Sequence, residues 1–143
     1  MSTRASRILM RSGGVMLVLL GILHLAVTPI IAQLVSDNVA PGGMWIKAPM
    51  MLNHVVVGIL LLPLGVVTFY AAPFAANGEK WARIVTRSTA VTVAALPVIL
   101  FLIMGSQYFG AIPFLVATIL VSCAAVLLLI AAFSSRSRAN ERS

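Results

Sequence analysis

The sequence predicts an all-α chain folded as a four-transmembrane-helix bundle, and three observations carry that prediction. Of its 143 residues, 61% are hydrophobic and only 9% charged, with a mean hydropathy of +1.08, whereas roughly a quarter of a soluble domain is charged. The apolar residues fall in stretches long enough to cross a hydrocarbon core of about 30 Å at about 1.5 Å per helical residue. The basic residues flank those stretches and do not interrupt them. A chain of this length holds about four spans of ~20 residues with short connections. Residues 1–143 therefore read as a single integral membrane domain with no separate soluble part.

The first span covers about residues 14–35, behind Arg4, Arg7 and Arg11. A basic head, an apolar run and Ala32 also fit a signal peptide. The uncharged run from Ser12 to Ser36 is too long for a typical h-region, however, and Ile30 is a poor residue two places before the cleavage point. A retained span is expected. The next connection contains Asp37, Asn38, Pro41, Gly42, Gly43 and Pro49, all turn formers. Span 2, about residues 50–72, is uncharged and carries Asn53 and His54 near its start. Helical spacing puts His54, Gly58, Leu61, Gly65, Thr68 and Ala72 on one stripe and turns Val56, Leu60 and Val67 toward lipid.

Pro73 and Asn77-Gly78 close span 2, and a helix restarts near Lys80. From Ser88 to Ser135 no charge occurs; as one helix this run would reach ~70 Å, about twice the hydrocarbon thickness. It has to fold back, and Gly, Ser, Gln, Tyr and Pro cluster at Gly105–Pro113 to let it do so. Spans 3 and 4 then cover about residues 84–104 and 112–133. Pro63 and Pro97 kink their helices, which neighbouring helices tolerate in a membrane. Small residues mark the expected helix contacts: Gly14 with Gly21, Gly58 with Gly65, Thr92 with Ala95, and Ser122 with Ala125.

Orientation follows from Lys and Arg. The N-terminus, the middle connection with the first turn of span 3, and the tail hold three each, against Lys47 alone on the other side. By the positive-inside rule both termini are cytoplasmic, in a bacterial inner membrane crossed several times. Trp81 and Tyr70 on the inner side, with Trp45 and Tyr108 on the outer, fit interfacial aromatic belts. Arg7–Leu20 and Arg83–Leu96 share Arg, Ile, Arg, Ser, Val and Leu at identical spacing. The bundle is thus open to reading as a tandem repeat of two helical hairpins about an axis along the membrane normal, with Leu100 and Thr118 in place of the histidines in the second copy.

Several function classes drop out. The net charge of +7 comes from small groups flanking apolar runs, without the interleaved aromatics or fold of a nucleic-acid binder. The single Cys123 allows no internal disulfide or CxxC pair. No Asp, Glu or Lys lies within a span, and Arg87 can snorkel from a first turn; the membrane-embedded carboxylate of proton-coupled multidrug transporters is missing. No phosphate loop, serine elbow or HExxH pattern occurs, so the reading leans away from an enzyme.

The remaining polar residues define a candidate ligand-binding set: His24, Thr28, Gln33, Asn53, His54 and Gly58. One reading is a small outward-facing pocket for a hydrophobic or amphiphilic ligand. Another is structural, with the imidazoles hydrogen-bonded between helices. A third is redox: two histidines on adjacent helices, each beside glycines, suit a b-type haem or a quinone, with His24 and His54 as the haem ligands. Against it stands depth, since measuring from the span ends leaves the two histidines ~10 Å apart along the membrane normal, unless Pro29 ends the first helix early. No other metal site is expected. Membrane lipids are the natural partners, and a bundle this small leaves surface for a second copy or a larger complex.

GILH in span 1 followed by NHVVVGILLLPLG in span 2 resembles a broad set of uncharacterised bacterial four-helix inner-membrane proteins, loosely DoxX-like in size and topology. The resemblance implies a compact four-helix membrane bundle and brings no activity with it.

Overall fold

Helix α1 (Thr3–Ala26) begins where Ser2 can cap it, the Ser2 hydroxyl accepting from the Ala5 amide at 3.2 Å. It ends at Val27, because Pro29 has no amide to continue the ladder and is suited to the first turn of the next helix. That helix, α2 (Thr28–Asn38), is followed by a 3₁₀ segment (Pro41–Ile46) and by α3 (Lys47–Ala76), α4 (Lys80–Met104) and α5 (Ile112–Phe133). A computed structural model describes residues 2–39, 41–104 and 112–134. The expected turn at Gly105–Pro113 falls largely outside the described residues, as do Tyr108 and the basic tail.

The described chain is all-helical, and four helices, α1, α3, α4 and α5, are long and apolar enough to cross a membrane. The expected first span straddles two helices: the span itself ends at Ala26, and residues 28–38 form the short α2. Pro63, Pro73 and Pro97 stay inside their helices. Asn77 and Gly78 stop α3 as expected. Gly78 takes φ +93°, its amide donates to Ala75 O at 3.1 Å and that of Glu79 to Phe74 O at 3.0 Å, a glycine-closed Schellman end.

Around the bundle, α1 packs on α3, α3 on α4, α4 on α5 and α5 on α1, which closes a ring. The α1–α3 pair is the tightest, and glycine is the reason. A Cβ on Gly14 would lie 2.8 Å from Gly65 O, one on Gly65 2.6 Å from Gly14 O, and one on Gly21 2.9 Å from Gly58 O. Backbone therefore rests on backbone, antiparallel, at two points seven residues apart on each helix. The heptad interval keeps such a seam facing its partner. The predicted stripe on α3 is the buried one: Gly58, Leu61, Gly65, Thr68 and Ala72 are buried, His54 is half-buried, and Leu60 and Val67 are 55% and 47% exposed. On α4 the buried stripe runs through Ala82, Thr86, Thr89, Ala90 and Val93. Thr92, expected at a contact, is exposed one position away, because the phase of that helix is set by its neighbours α3 and α5. Ala125 is buried and Ser122 half-buried on α5, and Ala95 is half-buried on α4.

Where α1 begins, the core is alanine-rich (Ala71, Ala72, Ala75, Ala82 and Ala131 around Met10), and α5 ends there with carbonyls that have no helical donor. Two side chains from other helices take them. The Ser6 hydroxyl donates to Ala131 O at 3.1 Å and Arg87 Nε to Ala132 O at 3.3 Å, with the guanidinium also over the Phe133 ring.

Gly65→Ala is expected to lower stability by roughly 1–3 kcal/mol, the cost of overpacking a contact that only backbone shifts can relieve. Gly43→Ala, whose new methyl meets only the Val39 side chain, is expected to cost far less. Equilibrium unfolding of both variants in mixed detergent checks this, and an unchanged midpoint for Gly65→Ala would remove the seam from the account.

Candidate functional site

The glycine seam runs directly into the histidines. His24 stands three residues beyond Gly21 and His54 four before Gly58, so the register that pairs the glycines also pairs the imidazoles. Their rings stack with centroids 3.8 Å apart and planes 24° from parallel. The depth mismatch expected from span ends is therefore absent. That expectation treated the chain on either side of the loop as equal in reach. Instead the chain runs on from His24 through α2 to Asn38, while α3 begins only seven residues before His54.

The helix break supplies the site's central acceptor. His24 O is in the last turn of α1, where carbonyls lose their intrahelical donors, and Leu23 O is taken by the Val27 amide at 3.0 Å. His24 O receives two side chains instead: the Thr28 hydroxyl at 3.2 Å and His54 Nε2 at 3.0 Å. A carbonyl only accepts, so His54 carries its hydrogen on Nε2. The histidine end of the hairpin is pinned again where Lys47 Nζ donates to Ser36 Oγ, joining α3 to α2.

Of the predicted set, His24, Thr28 and His54 come together around this carbonyl. Gly58 lies one turn along the seam beneath Leu25, whose Cδ2 would be 2.8 Å from a Cβ placed there. Gln33 and Asn53 are exposed on α2 and α3 and do not join the pair. Asn53 is adjacent to His54 in sequence, but that is about 100° round the helix. The carbonyl itself was missed by side-chain reasoning; Thr-Pro directly after an apolar helix is the signal that marks a released acceptor.

The chemistry open to the pair follows from its geometry. Axial ligation of one haem places two imidazoles on opposite sides of the macrocycle, each aiming a nitrogen at the iron. Here the rings lie face against face, and His54 Nε2 is committed to a carbonyl. As packed, the pair does not fit a bis-histidine haem. No group of three or more His, Cys, Asp or Glu gathers among the described residues. What the site offers is the imidazole of His24, half-buried in an apolar span with no hydrogen bond to another described residue. Neutral imidazole holds one donor and one acceptor, both open to a polar guest.

Because His24 O has two side-chain donors, removing either one leaves the other in place. His54→Phe, which keeps a ring for stacking, and Thr28→Val are each expected to cost about 0.5–1 kcal/mol, the usual range for a hydrogen bond between membrane helices. The double variant is expected to exceed their sum by about 1 kcal/mol, since it orphans the carbonyl. A double-mutant cycle measured by unfolding in detergent reads the difference, and strict additivity would deny the shared acceptor. No protein-family model, curated protein or solved structure matches this chain.

Proposed function

We propose that this chain is a multi-pass protein of the bacterial cytoplasmic membrane, non-enzymatic, that holds a small hydrophobic or amphiphilic molecule at the outer end of its α1–α3 hairpin. The observation that carries the reading is the half-buried His24 imidazole, stacked on His54 and without a hydrogen-bonded partner among the described residues. A neutral imidazole can both donate and accept, and an amphiphile with a hydroxyl or carbonyl group would pair with it here. The ring of four helices leaves one lipid-exposed side on each, so service as an accessory subunit beside a second membrane protein, or as a homo-oligomer, is compatible with the same reading. A quinone is one guest of this type, its carbonyl accepting from an imidazole N–H.

Two further features support the proposed organisation. Arg4, Arg7, Arg11, Lys80, Arg83 and Arg87 all lie at the end of the bundle where α1 starts, with Lys47 at the other, in keeping with that end being cytoplasmic. Five of the six buried positions of α1 have buried counterparts on α4, in keeping with a two-hairpin duplication, the sixth, Gly21, aligning with the half-buried Pro97. Ser6, Met10, Gly13, Gly14 and Leu17 match Ala82, Thr86, Thr89, Ala90 and Val93 at the spacing that aligns Arg7 with Arg83.

Protein extracted in mild detergent is expected to retain a bound amphiphile by native mass spectrometry and to lose it in His24→Ala, with Asn53→Ala unaffected. Retention in every variant, or no adduct at all, would refute the ligand site. Oxidised and dithionite-reduced visible spectra of the same preparation, from haem-supplemented cells, are expected to show no Soret band. A band lost in both His24→Ala and His54→Ala would instead establish the redox reading. For orientation, a Cys123→Ser background carrying Asp37→Cys is expected to react with an impermeant maleimide in intact cells, and one carrying Asn77→Cys only after lysis. The reverse pattern would invert the topology.

A further inference from the structure

At the end opposite the histidines lies a cleft of about 400 Å³ lined by Ser2, Thr3, Arg4, Arg7, Ala76 and Asn77. Its polar lining holds two guanidinium groups, which only donate, together with two hydroxyls and an amide that donate and accept. The arginines of this region have different surroundings. Arg11 places its guanidinium over the Phe69 ring, 5.0 Å from the centroid, and Arg87 is bound to Ala132 O and Phe133. Arg4 and Arg7 make no ion pair among the described residues and face the cleft. The nearest acid in sequence to Asn77, Glu79, is engaged elsewhere, its Oε2 accepting from Trp81 Nε1 at 2.7 Å. The end of α3 would bring negative carbonyls to the cleft, yet Pro73 O, Phe74 O and Ala75 O are already taken by the amides of Asn77, Glu79 and Gly78. The cleft's lining therefore carries two positive charges and, among the described residues, no carboxylate.

Its depth matters as much as its charge. The uncharged run starts at Ser12; Arg7 lies ~8 Å outside it and Arg4 ~12 Å at the helical rise, against a headgroup layer of about 5–8 Å on each side of the core. Ile8, which follows Arg7, and Phe74, two residues before Ala76, are 51% and 43% exposed, so acyl-compatible surface lies close to it in sequence. We propose that the cleft binds a phosphate-bearing anion, the headgroup of an anionic phospholipid in the leaflet at this end of the bundle. Guanidinium forks match phosphate oxygens in pairs, and two of them with Asn77 make a fixed site, unlike a diffuse basic belt.

The test is a titration of detergent-purified protein with phosphatidylglycerol and, separately, phosphatidylcholine, followed by native mass spectrometry. The wild type is expected to prefer phosphatidylglycerol, and R4Q/R7Q to bind it about 25-fold more weakly, at about fivefold per basic residue. R136Q/R138Q, which removes the same charge from the tail, is expected to stay within about twofold of the wild type, and the charge-keeping R4K/R7K to retain the preference whether or not the glutamine variant unfolds more easily. Equal weakening by the tail variant, or equal binding of the two lipids by the wild type, would overturn the proposal. Inorganic phosphate separates the sources: failure to displace phosphatidylglycerol assigns the site to the lipid, and full displacement assigns the same chemistry to a free anion and overturns the lipid assignment.

Discussion

Direct contact between the backbones of α1 and α3 is the constraint on which the rest of this structure depends. In lipid there is no hydrophobic drive between helices, so association rests on close packing, hydrogen bonds and what the lipid gains. Gly14 against Gly65 and Gly21 against Gly58 bring two main chains together with nothing between them. That proximity fixes the register, and the register does the rest. It puts His54 Nε2 within 3.0 Å of a carbonyl on another helix, a reach that any side chain on Gly21 or Gly58 would lengthen. Leu128, filling the space over Gly13, extends the same logic to α5.

Much of this was legible because helical period is a local property. The α3 stripe from His54 to Ala72 could be read from spacing alone, as could the turn at Asn77-Gly78, since a residue with positive φ and a helix end coincide there. Depth was not legible in the same way. It depends on how the chain between the two histidines divides into helix and turn, and α2 takes eleven of those residues. Nor could spacing place Gln33 and Asn53; it gives angles relative to neighbours on one helix, while exposure depends on which neighbour that helix turns to. Thr92 fails for the same reason. Charge counting likewise treats Arg4, Arg7 and Arg11 as equals, and only the fold places Phe69 under Arg11.

A common physical cause links the polar side chains that span prediction singles out. In an apolar medium each carbonyl released at a helix end needs a donor. At the end of α1 the donors are Thr28 and His54; at the end of α5 they are Ser6 and Arg87; at the end of α3 the chain itself supplies them through Gly78. Seen this way, His54, the residue most suggestive of chemistry in the sequence, already has a structural task. Its neighbour His24 gives its carbonyl to that task and keeps its imidazole free of it.

Polar capacity beyond structural need is what a membrane protein this small has available for recognition, and apart from the buried Thr68 hydroxyl inside the bundle, which has no partner among the described residues, it lies at opposite ends. At the histidine end the surplus is neutral, one half-buried imidazole in an apolar span, which suits the proposed guest with a single polar group on an apolar body. Where α1 begins it is cationic, with the guanidinium group of Arg7 at headgroup depth and that of Arg4 a turn further out, which suits an anion. The same glycine seam holds both apart on one rigid hairpin, because α1 contributes Arg4 and Arg7 at its start and His24 near its end, while α3 contributes His54 near its start and Asn77 just past its end. A change that slipped α1 along α3 would therefore disturb both ends together, whereas α4 and α5 could adjust with much less effect on either.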